Sequence, residues 1–502
     1  MLSSNTIIKE SFKLYRYPQF LTSIYQGAKK IPLKQHITGN KTAHTILWFF
    51  TLVAIMIFIP SLEDYRLISA KQIRKMLTAK PTSNAPPTTI LPQEAAVVQF
   101  QEPIEELPVT EAKTQTPVNE HSIEDATGHA LDHFYASLTR TNAKELGAVT
   151  RIIHYGDSPL TADGITSTTR RLLQDQFGDS GHGFVLIDKP WGWYSHYGVL
   201  HSGNGKWTID RIINRSLKDG AYGLGFVSFK SKTAGSIATF STIERGHNGK
   251  SVSRFDIYYL AQPGGGQFSI EVDGIVQSVV STDTPQTQSM VQSVNLPDGA
   301  HRLKLNTLGN GEVRLFGIVL ERDQAGVVYD SIGINGAYIR LLTTTLNAEH
   351  WAAQLRERKP NLVILNYGTN ESEFPQVVNE SYLQDLKTTI ARLREALPEA
   401  SILLMAPMDR AERNQEGELV TRAVIPKIVE YQRRAAQEMG VAFFDTYIAM
   451  GGEGTMANWY QAQPRLCTGD LTHPTAQGQE IIGRLLTDAL LAGYQQYQQQ
   501  NH

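Results

Sequence analysis

The apolar pattern changes character several times along the chain. Thr42 to Leu62 carries no formal charge and centres on the run ILWFFTLVAIMIFIP. At roughly 1.5 Å per residue such a helix spans about 31 Å, the thickness of a bilayer's hydrocarbon core. The stretch lies too far from Met1, and lacks the small-residue cleavage site, for an ordinary signal peptide. It predicts one uncleaved transmembrane anchor over 42–62. Residues 63–120 lose that pattern: Pro81, Pro86, Pro87, Pro92, Pro103, Pro108 and Pro117 sit among Thr, Gln and Glu. This composition cannot bury enough surface to order itself and predicts an extended Pro-rich linker.

Strand-like and helix-like runs begin after 121. VTRIIHYG reads as a buried strand, and Thr161 to Phe177 is compatible with a helix. From 185 to 325 the period is short. FVSFKSK, SIATFSTI, RFDIYYLA, QFSIEVDG, SVVSTD, HRLKLNTL and VRLFGIVLER are separated by turns such as Pro263-Gly264-Gly265-Gly266 and Pro297-Asp298-Gly299. That rhythm predicts a β-sandwich or jelly roll. Past 326 strands and helices alternate: NLVILNYG, ESYLQDLKTTIARLREAL, SILLMAPM, IPKIVEYQRRAAQEMG, VAFFDTYI and a closing helix. Alternation of this kind predicts a parallel sheet flanked by helices. The expected fold is therefore one α/β domain in two parts, 121–184 and 326–498, interrupted by an all-β insertion over 185–325. No repeat at solenoid or propeller spacing is present.

Composition narrows the function classes. A chain of 502 residues exceeds what one core usually organises. Charged residues at 19% and apolar ones at 41% exclude a mostly disordered chain, a polytopic membrane protein and a coiled coil. A net charge of −2 gives no global attraction to nucleic acid. Cys467 is the one cysteine, which excludes a disulfide framework and any Cys-based zinc site. The 14 His show no ligand spacing, so neither a metal nor a cofactor is expected. Residues 1–41 form a basic tail, seven Lys or Arg against Glu10 alone. That asymmetry favours an inner N-terminus and an outer main domain. Arg66, Lys71, Arg74, Lys75 and Lys80 oppose it from the other side.

Four short elements carry candidate chemistry. The first strand ends in Gly156-Asp157-Ser158, which puts a hydroxyl where parallel-sheet folds place their sites. Asp157 and Ser158 also suit plain helix capping. Asp470-Leu471-Thr472-His473 precedes the closing helix. A serine hydroxyl needs an imidazole to take its proton and a carboxylate to orient that imidazole, and this spacing lets Asp470 reach His473. A polar N-terminal turn would read the same. NLVILNYG ends in Gly368-Thr369-Asn370, whose amide can donate to a developing oxyanion or cap a turn. Gly333-Ile334-Asn335-Gly336 offers an unobstructed backbone N–H or simply a tight turn.

In this order the four elements resemble the SGNH (GDSL-like) hydrolases, read as Gly156-Asp157-Ser158, Gly336, Gly368-x-Asn370 and Asp470-x-x-His473. The insertion between the first and second blocks is similar to that of periplasmic peptidoglycan O-acetylesterases, in which a carbohydrate-binding-like jelly roll interrupts the catalytic domain. The resemblance covers about residues 125–495. It implies a three-layer flavodoxin-like fold, Ser158 as nucleophile, His473 as general base then acid, and Asp470 as its orienting acid. The oxyanion hole would be the N–H groups of Ser158 and Gly336 with the Asn370 side chain. It further implies an acetylated cell-envelope polysaccharide as substrate, peptidoglycan first, and a periplasmic catalytic domain tethered to the bacterial inner membrane. A polysaccharide O-acetyltransferase would use the same residues, and a glycan-binding scaffold would need none of them. Pro474 departs from the polar or aliphatic residue that often follows the histidine.

Other features read more simply. Gly178-Asp179-Ser180 repeats the triplet but follows a helix, so it is a C-cap and turn. Gly246 to Ser251 resembles a phosphate loop, yet Glu244 stands where a Walker motif needs Gly, which leaves a hairpin turn. Cys467 reads as a small buried residue. Trp191, Trp193 and Tyr194 are candidates for stacking on a sugar, or for packing at a domain junction. Asp409 and Arg410 follow the strand SILLMAPM, a strand end from which they could contact substrate, but read first as a surface ion pair.

Overall fold

The computed structural model describes residues 122–501 with the exception of His247. The basic tail 1–41, the anchor expected over 42–62 and the linker 63–120 lie outside the described residues. Among those described, no helix is long and apolar enough to cross a membrane. All of them belong to one compact unit.

The chain enters through helix α1 (Asp132–Asn142) and strand β1 (Val149–Gly156), makes a 3-10 turn over Ser158–Leu160, and continues into α2 (Gly164–Phe177). A helix from Thr161 was expected. Asp163 instead takes a left-handed backbone with φ 59°, so the regular helix opens only after it. Eleven antiparallel strands follow. They are β2 (Gly183–Leu186), β3 (Leu200–Gly203), β4 (Thr208–Arg211), β5 (Val227–Ser231), β6 (Ala234–Ser241) and β7 (Val252–Ala261), then β8 (Gln267–Val272), β9 (Ile275–Ser281), β10 (Gln288–Gly299), β11 (Arg302–Leu308) and β12 (Val313–Glu321). The α/β part resumes with β13 (Gly326–Gly333), α3 (Arg340–Thr344), α4 (Ala348–Arg358), β14 (Leu362–Asn366), α5 (Glu380–Ala396) and β15 (Ser401–Met405). A small hairpin of β16 (Ala411–Arg413) and β17 (Leu419–Thr421) precedes α6 (Val424–Met439) and β18 (Ala442–Phe444). Short helices α7 (Thr446–Ala449) and α8 (Thr455–Gln461) lead to the closing α9 (Ala476–Gln500).

The parallel sheet has the order β13-β1-β14-β15-β18. Counting only its own strands this is 2-1-3-4-5, the flavodoxin-like winding. Its strands are apolar on both faces because helices cover both. Ile152, Leu362, Ile364, Leu403 and Phe444 pack with Phe134 of α1, Leu173 of α2 and Leu486 of α9. Ile153, Tyr155, Val363, Leu365 and Leu404 point the other way, toward Leu355 of α4, Leu386 and Ile390 of α5 and Ile428 of α6.

Between α2 and β13 the antiparallel strands form two sheets, ordered β10-β7-β12-β5-β4 and β3-β6-β11-β8-β9, with β2 added beside β12. In the second sheet β6, β8 and β11 alternate buried and accessible residues, as a sheet with one wet face should. In the first, β12 is buried at every position. Its residues share one apolar cluster with Trp351 and Leu355 of α4, so this sheet is covered on both sides. A buried ion network crosses the same seam. Glu321 of β12 accepts from Arg151 of β1, Arg254 of β7 and Arg358 of α4, and Arg358 also holds Asp330 of β13 through two hydrogen bonds. The three cations keep the Glu321 carboxyl well below its ordinary range, against the upward push of burial.

Candidate active site

The carboxyl ends of β1, β13 and β14 deliver three of the four sequence blocks to one edge of the parallel sheet. β1 lies between the other two in register, with Gly156 opposite Gly333 on one side and Asn366 on the other. This approach leaves no room for a side chain at Gly156, where a Cβ would stand 2.7 Å from the Asn366 carbonyl oxygen. Ser158 follows at once as the first residue of the 3-10 turn, with Pro159 behind it. The turn is fastened by Thr161, whose hydroxyl donates to the Ser158 carbonyl at 2.7 Å.

The fourth block arrives from the far end of the chain. Asp470 Oδ1 accepts the N–H groups of Thr472 and His473 and the Thr468 hydroxyl, closing a tight loop in which Leu471 has φ 59°. Asp470 Oδ2 is then free to meet His473 Nδ1 at 2.7 Å. His473 Nε2 lies 2.7 Å from Ser158 Oγ. Residues 315 positions apart are thus in hydrogen-bond contact. Although burial pushes the Asp470 carboxyl up, its hydrogen bond and attraction to His473 hold it well below the usual carboxylate range. An imidazole so oriented can take the proton of a hydroxyl while the carboxylate steadies the cation formed. Pro474 is buried just beyond, and α9 begins only after its cap Thr475.

Gly336 sits in the turn after β13 with φ 76°, a conformation that favours glycine. Asn370 does not cap the turn that follows it. Its Nδ2 donates to the Ala337 carbonyl at 2.7 Å, so the second and third blocks touch each other. The amide's other N–H has no partner among the described residues.

Two buried carboxyls lie beneath these loops. Asp157 is 1% exposed and its Oδ2 accepts the Thr369 N–H at 3.1 Å; it makes no cap bond to its own turn. Burial raises its pKa to about 7, opposed by the Thr369 hydrogen bonds and by electrostatic attraction to His473 and Arg410. Glu371 is similarly buried and accepts the Ile339 N–H at 2.9 Å. Burial, with the nearby Asp157, raises it to about 7 as well.

Several sequence readings need correction. Arg410 is not a surface ion pair. Its mostly buried guanidinium donates to Thr472 Oγ1 at 2.8 Å, Ser372 Oγ at 2.8 Å and the Thr369 carbonyl at 3.2 Å, and pairs with Glu373. It thereby braces the Asn370 loop against the His473 loop. Asp409 is buried and accepts from Thr421, the Met456 N–H and the Arg410 N–H. Trp191 and Tyr194 cannot offer a ring face to a sugar, since they are 5% and 3% exposed within the main core. Only Trp193 is partly accessible, and its indole N–H donates to Thr161 Oγ1 at 3.2 Å, beside Ser158. Cys467 is buried, with its thiol pushed up to about 12 by burial.

The histidines do form one cluster that their spacing hides. Asp163, His182 and His196 bring ligand-type atoms within 4.8 Å of one another. They are the described residues best placed to hold a metal. The Asp163 carboxylate, however, already accepts from Arg170, Thr166 and the Tyr197 N–H. A guanidinium in contact opposes a second cation there. Burial pushes His196 down to about 4 and His182 well below the usual histidine range. Tyr194, His196 and His182 instead form a chain of hydrogen bonds at the junction.

The sequence profile of the GDSL-like lipase/acylhydrolase family matches residues 298–481, which hold Gly336, Asn370, Asp470 and His473 but not Ser158. Among curated proteins none matches the sequence. A solved peptidoglycan O-acetylesterase is 25% identical over 74% of this chain and 99% of its own, with a TM-score of 0.63. Two family-two carbohydrate esterases also align, at 14% identity. The one from Clostridium thermocellum, bound to cellohexaose, covers 59% of this chain and 100% of its own with a TM-score of 0.24. The one from Cellvibrio japonicus covers 62% and 98% with a TM-score of 0.25. The family profile covers the later blocks and the structural match covers 74% of this chain, so the chain is similar to the GDSL-like hydrolases, and both comparisons support a hydrolase acting on ester bonds.

Proposed function

We propose that the protein is a serine esterase that removes O-acetyl groups from a cell-envelope polysaccharide, peptidoglycan first. The observation that carries this reading is the continuous contact from Ser158 Oγ through the His473 ring to Asp470, both links 2.7 Å long. In this scheme Ser158 Oγ attacks the acetyl carbonyl while His473 Nε2 takes its proton. The N–H groups of Ser158 and Gly336 and the Asn370 amide receive the charge that develops on the carbonyl oxygen. His473 returns the proton to the departing sugar oxygen, leaving an acetyl-serine. Water, activated by the same imidazole, then releases acetate.

The substrate class rests on the resemblance to the peptidoglycan O-acetylesterase. A half-buried Trp193 beside the Ser158 turn supplies an apolar surface on which a sugar ring can lie. The inserted strands are read as a carbohydrate-binding-like jelly roll, and the uncharged stretch 42–62 as an inner-membrane tether that leaves the catalytic part in the periplasm. Acetate release measured on a panel of purified acetylated polysaccharides tests the proposal. Peptidoglycan should lead the panel, and Ser158→Ala should release none. Acetyl transfer to an added oligosaccharide in preference to water would reassign the protein as an acetyltransferase. Binding without any release would make it a scaffold.

A further inference from the structure

The donors assigned to the oxyanion lie on two separate loops, Gly336 after β13 and Asn370 after β14. Their separation is therefore set by whatever joins the loops. Two hydrogen bonds do so. Asn370 Nδ2 reaches the Ala337 carbonyl at 2.7 Å, and the Ile339 N–H reaches Glu371 Oε1 at 2.9 Å. The second is the more unusual. Glu371 is 3% exposed, and its Oε2 has no hydrogen-bond partner among the described residues. A carboxyl held in that state is costly, and an apolar residue would fill the same space without the cost. Purely local capping of the Glu371–Glu373 turn does not explain it either, because Ile339 is 32 residues away and belongs to the other loop.

We propose that Glu371 is a positioning residue for the oxyanion hole. Its carboxyl oxygen fixes the Gly336–Ile339 turn against the Asn370 loop, so that the Gly336 N–H and the Asn370 amide are held at one separation. The inference rests on the esterase reading above. It assigns Glu371 no contact with substrate: the residue acts through Ile339 and the two donors. Removing its acceptor oxygen should misplace a donor without touching the triad. A displaced donor is felt in the transition state far more than in substrate binding.

The test compares Glu371→Met, which keeps the volume and loses the acceptor, with Glu371→Gln, which keeps an acceptor oxygen. Hydrolysis of p-nitrophenyl acetate and thermal melting are measured for both. Glu371→Met should lower kcat about 100-fold with KM within about threefold, and Glu371→Gln should stay within about tenfold of the parent. Equal losses in the two variants, or a Met variant within tenfold of the parent, would overturn the inference. Should Glu371→Met not fold, Ile339→Pro breaks the same bond from the donor side. Ile339 has φ −57°, which a proline ring accepts, and the same kcat loss is expected. The esterase reading fails separately, if the parent is inactive or if Ser158→Ala retains activity.

Discussion

Asp157 and Thr369, at the ends of neighbouring parallel strands, are joined by a hydrogen bond of 3.1 Å from a backbone N–H to a carboxyl with almost no water contact. The residue beside the serine thus ties the first block to the third. The burial of that carboxyl has a thermodynamic consequence. Burial raises Asp157 from 3.8 to about 7, so between about pH 4 and pH 7 the folded chain binds a proton that the unfolded chain has released. The stability this contributes is complete below about pH 4 and is lost as pH rises to about 7, at up to roughly 1.4 kcal/mol per pH unit. Asp157→Asn keeps an acceptor for Thr369 and cannot ionise. Its Tm relative to the parent should therefore be higher at pH 8 than at pH 5. A difference that does not change with pH would contradict the assignment.

Asp470 orients His473 and, by accepting three further hydrogen bonds, shapes the loop that carries it. Asp470→Asn should leave the fold intact but favour the wrong imidazole tautomer. A drop in kcat of about 10³–10⁴-fold with little change in KM is expected in ester hydrolysis assays.

Glu321 is surrounded by Arg151, Arg254 and Arg358, cations from three different parts of the fold. Glu321→Gln removes the carboxylate the three share, leaving Arg358 only Asp330 and Arg254 only Asp256, and a loss of about 3 kcal/mol in chemical denaturation is expected. Because the folded carboxyl sits below its ordinary value of 4.5, this contribution is present above that pH and fades only in stronger acid. The gap between variant and parent should narrow accordingly.

The antiparallel part shares its core with α4 and the parallel sheet. Residues 183–321 expressed alone should therefore show no cooperative unfolding, and the intact 122–501 unit should melt in one transition.

Trp191 and Trp193 should separate cleanly. Trp191→Ala opens a core cavity, and a loss of about 3–5 kcal/mol with unchanged KM is expected. Trp193→Ala removes a half-exposed ring, so Tm should move little while KM for a polymeric substrate rises.

The contrast between those two tryptophans shows where sequence pattern stops being informative. The strands β1 and β14 that carry the site were legible because they are short apolar runs ending in Gly156 and Asn366. Strands β2, β3 and β4, of 4 residues each, were not, since four residues carry too little periodicity. Helix α1 also escaped, its polar residues masking a stripe of Phe134, Tyr135 and Leu138. Ser158, Asp470 and His473 could be picked out by residue type and local spacing. Arg410, Asp157 and Glu371 could not be assigned what they do, because each acts on a loop from a different block. His182 and His196 come from loops before and after β2, and only the fold brings them to Asp163. The largely apolar run of β12 did hold a usable signal: a strand buried along its whole length needs cover on both faces.

The most direct measurement is covalent. Incubation with a fluorophosphonate, followed by intact mass and peptide mapping, reports which hydroxyl is activated. One adduct per chain on the peptide containing Ser158 is expected, greatly slowed in His473→Ala and absent in Ser158→Ala. Labelling at another residue, or undiminished ester hydrolysis by Ser158→Ala, would contradict the proposed chemistry.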